Sequence, residues 1–246
     1  FIKLKKVFSP GTVLKLRGEL IKLLKKEFNV DPDKEAHDRF LSLEMTWPNN
    51  PLLRAYVLSP RLGQISADLL GVPAVRLYHD NVLAKQAGCG RTPWHYDDHH
   101  FPLDTNDVVT AWVPAQPTPL EMGPLSFAYP LDVHKLVNAV SFKKTGTSYD
   151  RGVSEVFAKN GVTVNETLFE LGEVSFHHNL NFHTASQNRT DRSRVALANT
   201  YYRDGARVIN SPTMVSGDWQ KFMPNVKPGE VAASPLNPIC WPVDDK

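Results

Sequence analysis

The chain has 246 residues, 41% of them hydrophobic and 22% charged, which is enough apolar material for a sizeable core in one globular domain. Its formal net charge of +2 excludes a strong electrostatic footprint for nucleic acid, and no apolar run approaches the roughly 20 residues that span a bilayer. The N-terminal stretch lacks the features of a signal peptide, and two cysteines, Cys89 and Cys240, make no disulfide scaffold, so the expectation is a cytoplasmic protein.

Residues 11–28 place Val13, Leu14, Leu16, Leu20, Leu23 and Leu24 largely at spacings of three and four, which predicts an amphipathic helix with Ser9 and Pro10 as start signals. Residues 60–70 predict a second helix, ending near Gly71. From Ala74 the character changes to short apolar, β-branched and aromatic runs punctuated by Pro, Gly, Asn and Asp: AVRLYHDNVLAK, DVVTAWVPAQ, GPLSFAYP, ETLFELGEVSFHH and RVALANTYYRD. That rhythm, with 19 prolines, predicts antiparallel strands in a barrel or jelly roll. The expected organisation is a single domain: a helical part over about 1–72, a core over about 73–210 and a tail over about 211–246. Residues 138–165 break the strand rhythm. Their glycines at 146, 152 and 161 and their aromatics Phe142, Tyr149 and Phe157 suit either a lid, cleavable near Lys143, Lys144 or Arg151 when open, or a surface insertion.

Six of the nine histidines fall in two short segments, PWHYDDHHF at 93–101 and FHHNLNFH at 176–183. Pro93 and Pro102 favour an extended first segment, in which His95 and Asp97, two apart, share one face and can chelate one ion. A distant third ligand would complete a two-histidine, one-carboxylate face, which leaves coordination positions open and is the usual site of non-haem Fe(II) oxygenases. His-x-Asp by itself is weak evidence, since a surface histidine beside a solvated aspartate arises by accident. A helical zinc-protease site is excluded, because Tyr96 stands where the glutamate of His-Glu-x-x-His must be.

The second segment runs into a strand on which Arg194, Ala196, Ala198, Thr200 and Tyr202 share one face. Small residues beside an arginine leave a cavity, and a guanidinium there suits bidentate capture of a dicarboxylate's far end. A structural salt bridge is the alternative.

His-x-Asp, then about 85 residues on a histidine followed eleven positions later by arginine, resembles the phytanoyl-CoA dioxygenase family of 2-oxoglutarate oxygenases. RLYHDNVLAK followed by TPWHYDD, then VVTAWVPAQ, MGPLSFAYPLDVHK and GEVSFHHNLNFHTASQNRTDRSRVAL carry the same resemblance, and the stretch from WQKFMPN to NPICW is similar to the tail of members that tailor small natural products. The resemblance implies a double-stranded β-helix core with N-terminal helices. It also implies Fe(II), 2-oxoglutarate and O2 as cofactor and cosubstrates, and oxidation of a natural-product intermediate with release of succinate and CO2. His95, Asp97 and His183 are the implied metal ligands, with His177 and His178 as strand residues facing opposite ways. Arg194 is the implied cosubstrate anchor, with Asn81, Tyr96 and Trp112 lining its pocket. Two positions depart from the family pattern: Ala185 where a serine is usual, and Glu173 where aspartate is usual. A carboxylate at 97 argues for hydroxylation, desaturation, epimerisation or cyclisation over halogenation. A cupin-type enzyme without 2-oxoglutarate and a non-catalytic binding protein are the rival readings.

Overall fold

The computed structural model describes residues 1–34, 38–143, 145–210, 212 and 219–243. Its elements run β1 (Ile2–Leu4), α1 (Pro10–Phe28), β2 (Phe40–Glu44), α2 (Pro51–Val57), α3 (Pro60–Leu70), β3 (Val75–Lys85), β4 (Thr92–His95), β5 (Val108–Pro114), β6 (Leu125–Tyr129), α4 (Val133–Leu136), α5 (Ser148–Asn160), β7 (Thr163–Glu166), β8 (Val174–His178), β9 (His183–Ala185), β10 (Arg194–Arg203) and β11 (Ile239–Trp241).

The two predicted helices form for the expected local reasons. Ser9 Oγ accepts from the Thr12 amide at 3.2 Å and Pro10 sits in the first turn, so the N-terminus of α1 is capped. Val13, Leu16, Leu20 and Leu24 form its buried stripe, while Leu14 lies off that stripe and is exposed. Helix α3 starts at Pro60 and stops at Gly71, whose φ of 67° closes the C-terminus without steric cost.

All the strands pair antiparallel. A seven-stranded sheet has the order β1-β8-β5-β10-β3-β11, with β2 also on β3, and β4-β9-β6-β7 make a four-stranded sheet. Helices α1, α2 and α3 cover the outer face of the large sheet, packing Leu16, Leu20, Val57 and Leu62 against Val82, Ala111, Val113, Phe176, Val195 and Leu197. Between the sheets lie Trp112, Leu125, Phe127, Phe169, Ala185, Ala196 and Ala198. Strand β3 carries one extra residue: Thr200 faces His79 and Tyr201 faces Leu77, leaving Tyr78 unmatched. The bulge shifts the alternation, so Val75 and Leu77 face the helices before it and Val82 and Ala84 after it. Tyr78 and His79 can then both line the interior cavity.

Three features differ from the sequence expectation. The N-terminal part supplies strands β1 and β2 to the large sheet as well as helices, and the tail supplies β11; these short pieces gain their hydrogen bonds only from long-range neighbours, so they carry little periodicity of their own. ETLFELGEVSFHH divides into the end of β7, a turn and β8. Residues 138–165 hold helix α5 and most of β7, and Tyr149, Val153 and Phe157 pack on Phe182 and Trp94 at the outer face of the small sheet. Tyr149 Oη donates to the Trp94 carbonyl at 2.9 Å and Arg91 pairs with Asp150, which fixes the segment there. None of its described residues lines the cavity; Lys144 lies outside the described residues.

Candidate metal and cosubstrate site

The two sheets enclose a cavity of about 340 Å³. His95 ends β4 and His183 opens β9, and the two are direct partners across that ladder. Pairing at this register puts their rings on the same side, with centroids 4.2 Å apart. The extended conformation expected through Asp97 stops at His95. The Asp97 and Asp98 amides both donate to the Asn179 carbonyl, at 2.8 and 3.2 Å, and bend the chain into a short turn. That bend carries the Asp97 carboxylate back over the histidine pair: Oδ1 is 3.6 Å from His95 Nε2 and 3.9 Å from His183 Nε2. One ligand atom from each of the three residues lies within 4.8 Å of the others, a separation suited to one divalent ion.

The two imidazoles are also aimed by their far nitrogens. His95 Nδ1 faces the Pro93 carbonyl at 2.8 Å and His183 Nδ1 the Asn181 carbonyl at 2.9 Å, so each Nδ1 carries the proton and each Nε2 is the free donor. Burial, and the neighbouring His183, lower the pKa of His95 to about 4; burial lowers that of His183 to about 4, against the pull of Asp97. Burial pushes the Asp97 carboxyl up, but the facing His183, His177 and His95 outweigh it and hold it well below the usual carboxylate range. Two neutral imidazoles and an ionised carboxylate are the protonation states that a metal ion requires.

Arg194 opens β10 and is 2% exposed. Its Nη1 donates to the Gly123 carbonyl at 2.6 Å and its guanidinium carbon lies 5.3 Å from the Trp112 ring centre, while Nε is buried with no hydrogen-bond partner. No carboxylate pairs with it among the described residues, so the salt-bridge alternative finds no partner there. Its cross-strand neighbour is Lys85, also buried, whose Nζ donates to the carbonyls of Ala185 and Ser186 at 3.2 and 2.6 Å. Burial, then the charge of Arg194, lowers Lys85 to about 7; burial lowers Arg194 to about 10. A buried guanidinium beside a buried amine, with no carboxylate paired to either among the described residues, suits an anion.

Asn81 and Trp112 line the same cavity, and Asn81 Oδ1 accepts from Ser42 Oγ at 2.8 Å. Tyr96 does not. It lies just past the end of β4, where the chain bends, and packs with Trp94 against the outer cluster, its ring 4.1 Å from His99 and 4.9 Å from His134. His177 points into the cavity and His178 out of it, with His178 Nδ1 accepting from the Leu180 amide at 3.2 Å. At the departure from family pattern, Glu173 Oε2 accepts from the Glu170 amide at 2.9 Å and pairs with Lys3 at 3.2 Å, so the longer side chain still closes the turn from Glu170 to Glu173.

Sequence reasoning missed Lys85, the cross-strand neighbour of Arg194, and it missed the wall formed by Phe40, Ser42 and Glu44 of β2 with His79 and Phe222. Lys85 shares the face of β3 that carries Asn81 and Leu83, a placement that alternation from Asn81 would have revealed, and its amine reaches the Ala185 and Ser186 carbonyls. Phe222 and β2 come from segments whose sequence gives no sign that they meet.

No curated protein sequence matches the chain. Solved structures of similar fold include the non-heme α-ketoglutarate-dependent carbocyclase SnoK from nogalamycin biosynthesis, at 23% identity and a TM-score of 0.75 over 97% of this chain and 90% of that one. The epimerase SnoN of the same biosynthesis, solved with Fe3+, α-ketoglutarate and nogalamycin RO, has 20% identity and a TM-score of 0.73 over 97% and 93%. EctD from S. alaskensis, solved with 2-oxoglutarate and 5-hydroxyectoine, has 17% identity and a TM-score of 0.69 over 96% and 84%. The phytanoyl-CoA dioxygenase (PhyH) family model matches residues 1–196, and the chain therefore belongs to this family of iron- and 2-oxoglutarate-dependent dioxygenases.

Proposed function

We propose that the protein oxidises a C–H bond of a small natural-product intermediate on a double-stranded β-helix domain spanning residues 1–246, with His95, Asp97 and His183 holding Fe(II) and Arg194 holding the far carboxylate of 2-oxoglutarate. The observation that carries this reading is the meeting, in one cavity, of a three-ligand cluster and a buried guanidinium whose Nε has no partner. The donor set fits the metal, and Arg194 with Trp112 over its face fits a carboxylate tail. When bound, the iron supplies the oxidising chemistry, driven by oxidative decarboxylation of 2-oxoglutarate to succinate and CO2.

The chain's own residues position and shield. Neutral His95 and His183 offer Nε2 lone pairs, Asp97 offers a carboxylate oxygen, and Arg194 offers planar donors to the cosubstrate tail. Ala185 and Ala198 leave room along that tail, and Lys85 stands beside Arg194 to add positive potential where the family's usual serine is replaced by Ala185. On the other side of the metal ligands, Tyr78, Phe101 and Phe222 make an aromatic wall with His79, His100 and Glu44 as polar contacts. An apolar wall with a few convergent polar groups suits a small organic substrate, and it also keeps water from the reacting centre. SnoN and EctD, similar in fold, bind nogalamycin RO and 5-hydroxyectoine respectively, which supports a substrate of that general kind.

The test is an anaerobic titration followed by turnover. Fe(II) binds at one equivalent, and added 2-oxoglutarate then produces a visible charge-transfer band. Screening a natural-product library under air then reveals compounds that stimulate succinate release. Stoichiometric iron binding with no spectral response to 2-oxoglutarate refutes the cosubstrate assignment.

A further inference from the structure

We propose that His177 is a positioning residue that fixes Asp97 as a one-oxygen metal ligand, an inference that rests on the metal-site reading above. The two oxygens of Asp97 have different surroundings. Oδ1 faces the Nε2 atoms of His95 and His183, whereas Oδ2 lies 3.4 Å from His177 Nε2. His177 comes from β8 in the large sheet, across the cavity from the strands that carry the two metal-facing histidines. It is 3% exposed, and its ring sits 4.7 Å from that of His183 and 5.5 Å from that of Phe127.

The backbone of Asp97 is held independently, because its amide donates to the Asn179 carbonyl just beyond β8. What remains free is rotation of the carboxylate, and that rotation decides which oxygen faces the histidine pair. A carboxylate open on both oxygens can chelate a cation and occupy two coordination positions. A facial triad has to leave three positions free, so a chelating Asp97 closes one of them. With Nε2–H donating to Oδ2, His177 withholds that oxygen and leaves Oδ1 for the metal. Its Nδ1 is buried with no hydrogen-bond partner, so this polar ring carries a desolvation cost that a phenyl ring in the same space does not. Among the described residues, the ring's polar partner is Asp97.

The experiment titrates metal-free protein with Co(II), comparing wild type, Asp97→Ala, His177→Phe and His177→Gln, with melting curves to establish that each is folded. Wild type should take up one Co(II), and Asp97→Ala should lose it. His177→Phe should bind roughly 10- to 100-fold more weakly with altered visible bands, and His177→Gln, which keeps an N–H donor, should recover most of the affinity and band shape. Wild-type affinity and bands in His177→Phe overturn the proposal, as does a His177→Gln variant no better than His177→Phe, since restoring an N–H donor would then restore nothing. A second measurement needs no variant. The infrared difference spectrum of Co(II)-loaded against metal-free wild type should show the wide carboxylate splitting of one-oxygen ligation, and the narrow splitting of a chelate overturns the proposal even if His177→Phe does not fold. Wild type that takes up no Co(II) removes the metal site itself, whereas normal uptake with His177 variants unaffected removes only this role.

Discussion

Replacing Arg194 by methionine separates a ligand-holding guanidinium from a structural one, because the two roles predict opposite effects on stability. In the ligand-free protein the guanidinium has one hydrogen bond to the Gly123 carbonyl, the face of Trp112, an unpartnered Nε and a second buried amine, Lys85, as its neighbour. Removing it forfeits that bond and leaves the Gly123 carbonyl short of a donor, a cost of about 1–3 kcal/mol. It also relieves the desolvation of a buried cation without a counter-charge, several kcal/mol of opposite sign. Methionine has similar length and fills the space, so the melting temperature of the ligand-free variant should equal or exceed that of wild type. The cosubstrate carboxylate meanwhile loses its charged partner in a dry pocket, at roughly 2–5 kcal/mol, which corresponds to roughly a 30- to 4000-fold higher 2-oxoglutarate requirement. Iron binding should persist, since Arg194 touches no metal ligand. The assay pairs calorimetry of both proteins with 2-oxoglutarate dependence of succinate release. A variant destabilised by several kcal/mol with an unchanged cosubstrate requirement refutes the reasoning and makes Arg194 a structural group.

Further outcomes follow from the same geometry. His183→Ala should abolish turnover and sharply weaken Fe(II) binding while His178→Ala spares both, because His178 faces away from the cavity; the reverse pattern in an iron titration refutes the assignment. Chloride or bromide in the assay should leave the product mass unchanged, since Asp97 fills the position a halide needs, and a halogenated product contradicts this. The metal-free protein should lose stability as pH falls from 6.5 towards 4: unfolded His95 and His183 take up protons near 6.5 and the folded ones only near 4, so the unfolded state holds more protons in that window. Melting temperatures across that range should fall less steeply in a His95→Gln/His183→Gln double variant, and an unchanged slope refutes the attribution. Trypsin should cut near Arg151 equally with and without metal and 2-oxoglutarate, since α5 packs outside the cavity; ligand-dependent protection would restore the lid reading.

The sequence alone determined the parts whose signal is local or depends on spacing. Helices α1 and α3 were readable from the 3.6-residue stripe and from Ser9, Pro60 and Gly71, and the central strands from alternation between turn residues. The grouping of His95, Asp97 and His183 was readable from His-x-Asp and from a histidine eleven residues before arginine, although Asp97 joins the histidine pair through a bend and not along a strand. Only the tertiary structure decided what depends on non-local meeting. Strands β1, β2 and β11 are three to five residues long and exist as strands through partners far along the chain, so no window of sequence shows them. The bulge at Tyr78, visible only as a register shift against β10, brings two consecutive side chains into the cavity. Tyr96 was placed by resemblance in the cosubstrate pocket, yet the bend that follows β4 leaves its ring against His99 and His134. The neighbour of Asp97 was likewise beyond sequence: parity could send His177 inward, but only the packing of β8 across from β4 and β9 set its Nε2 against Oδ2. Pairing of distant segments is settled by the summed burial of the whole core, a quantity that no short stretch of residues contains.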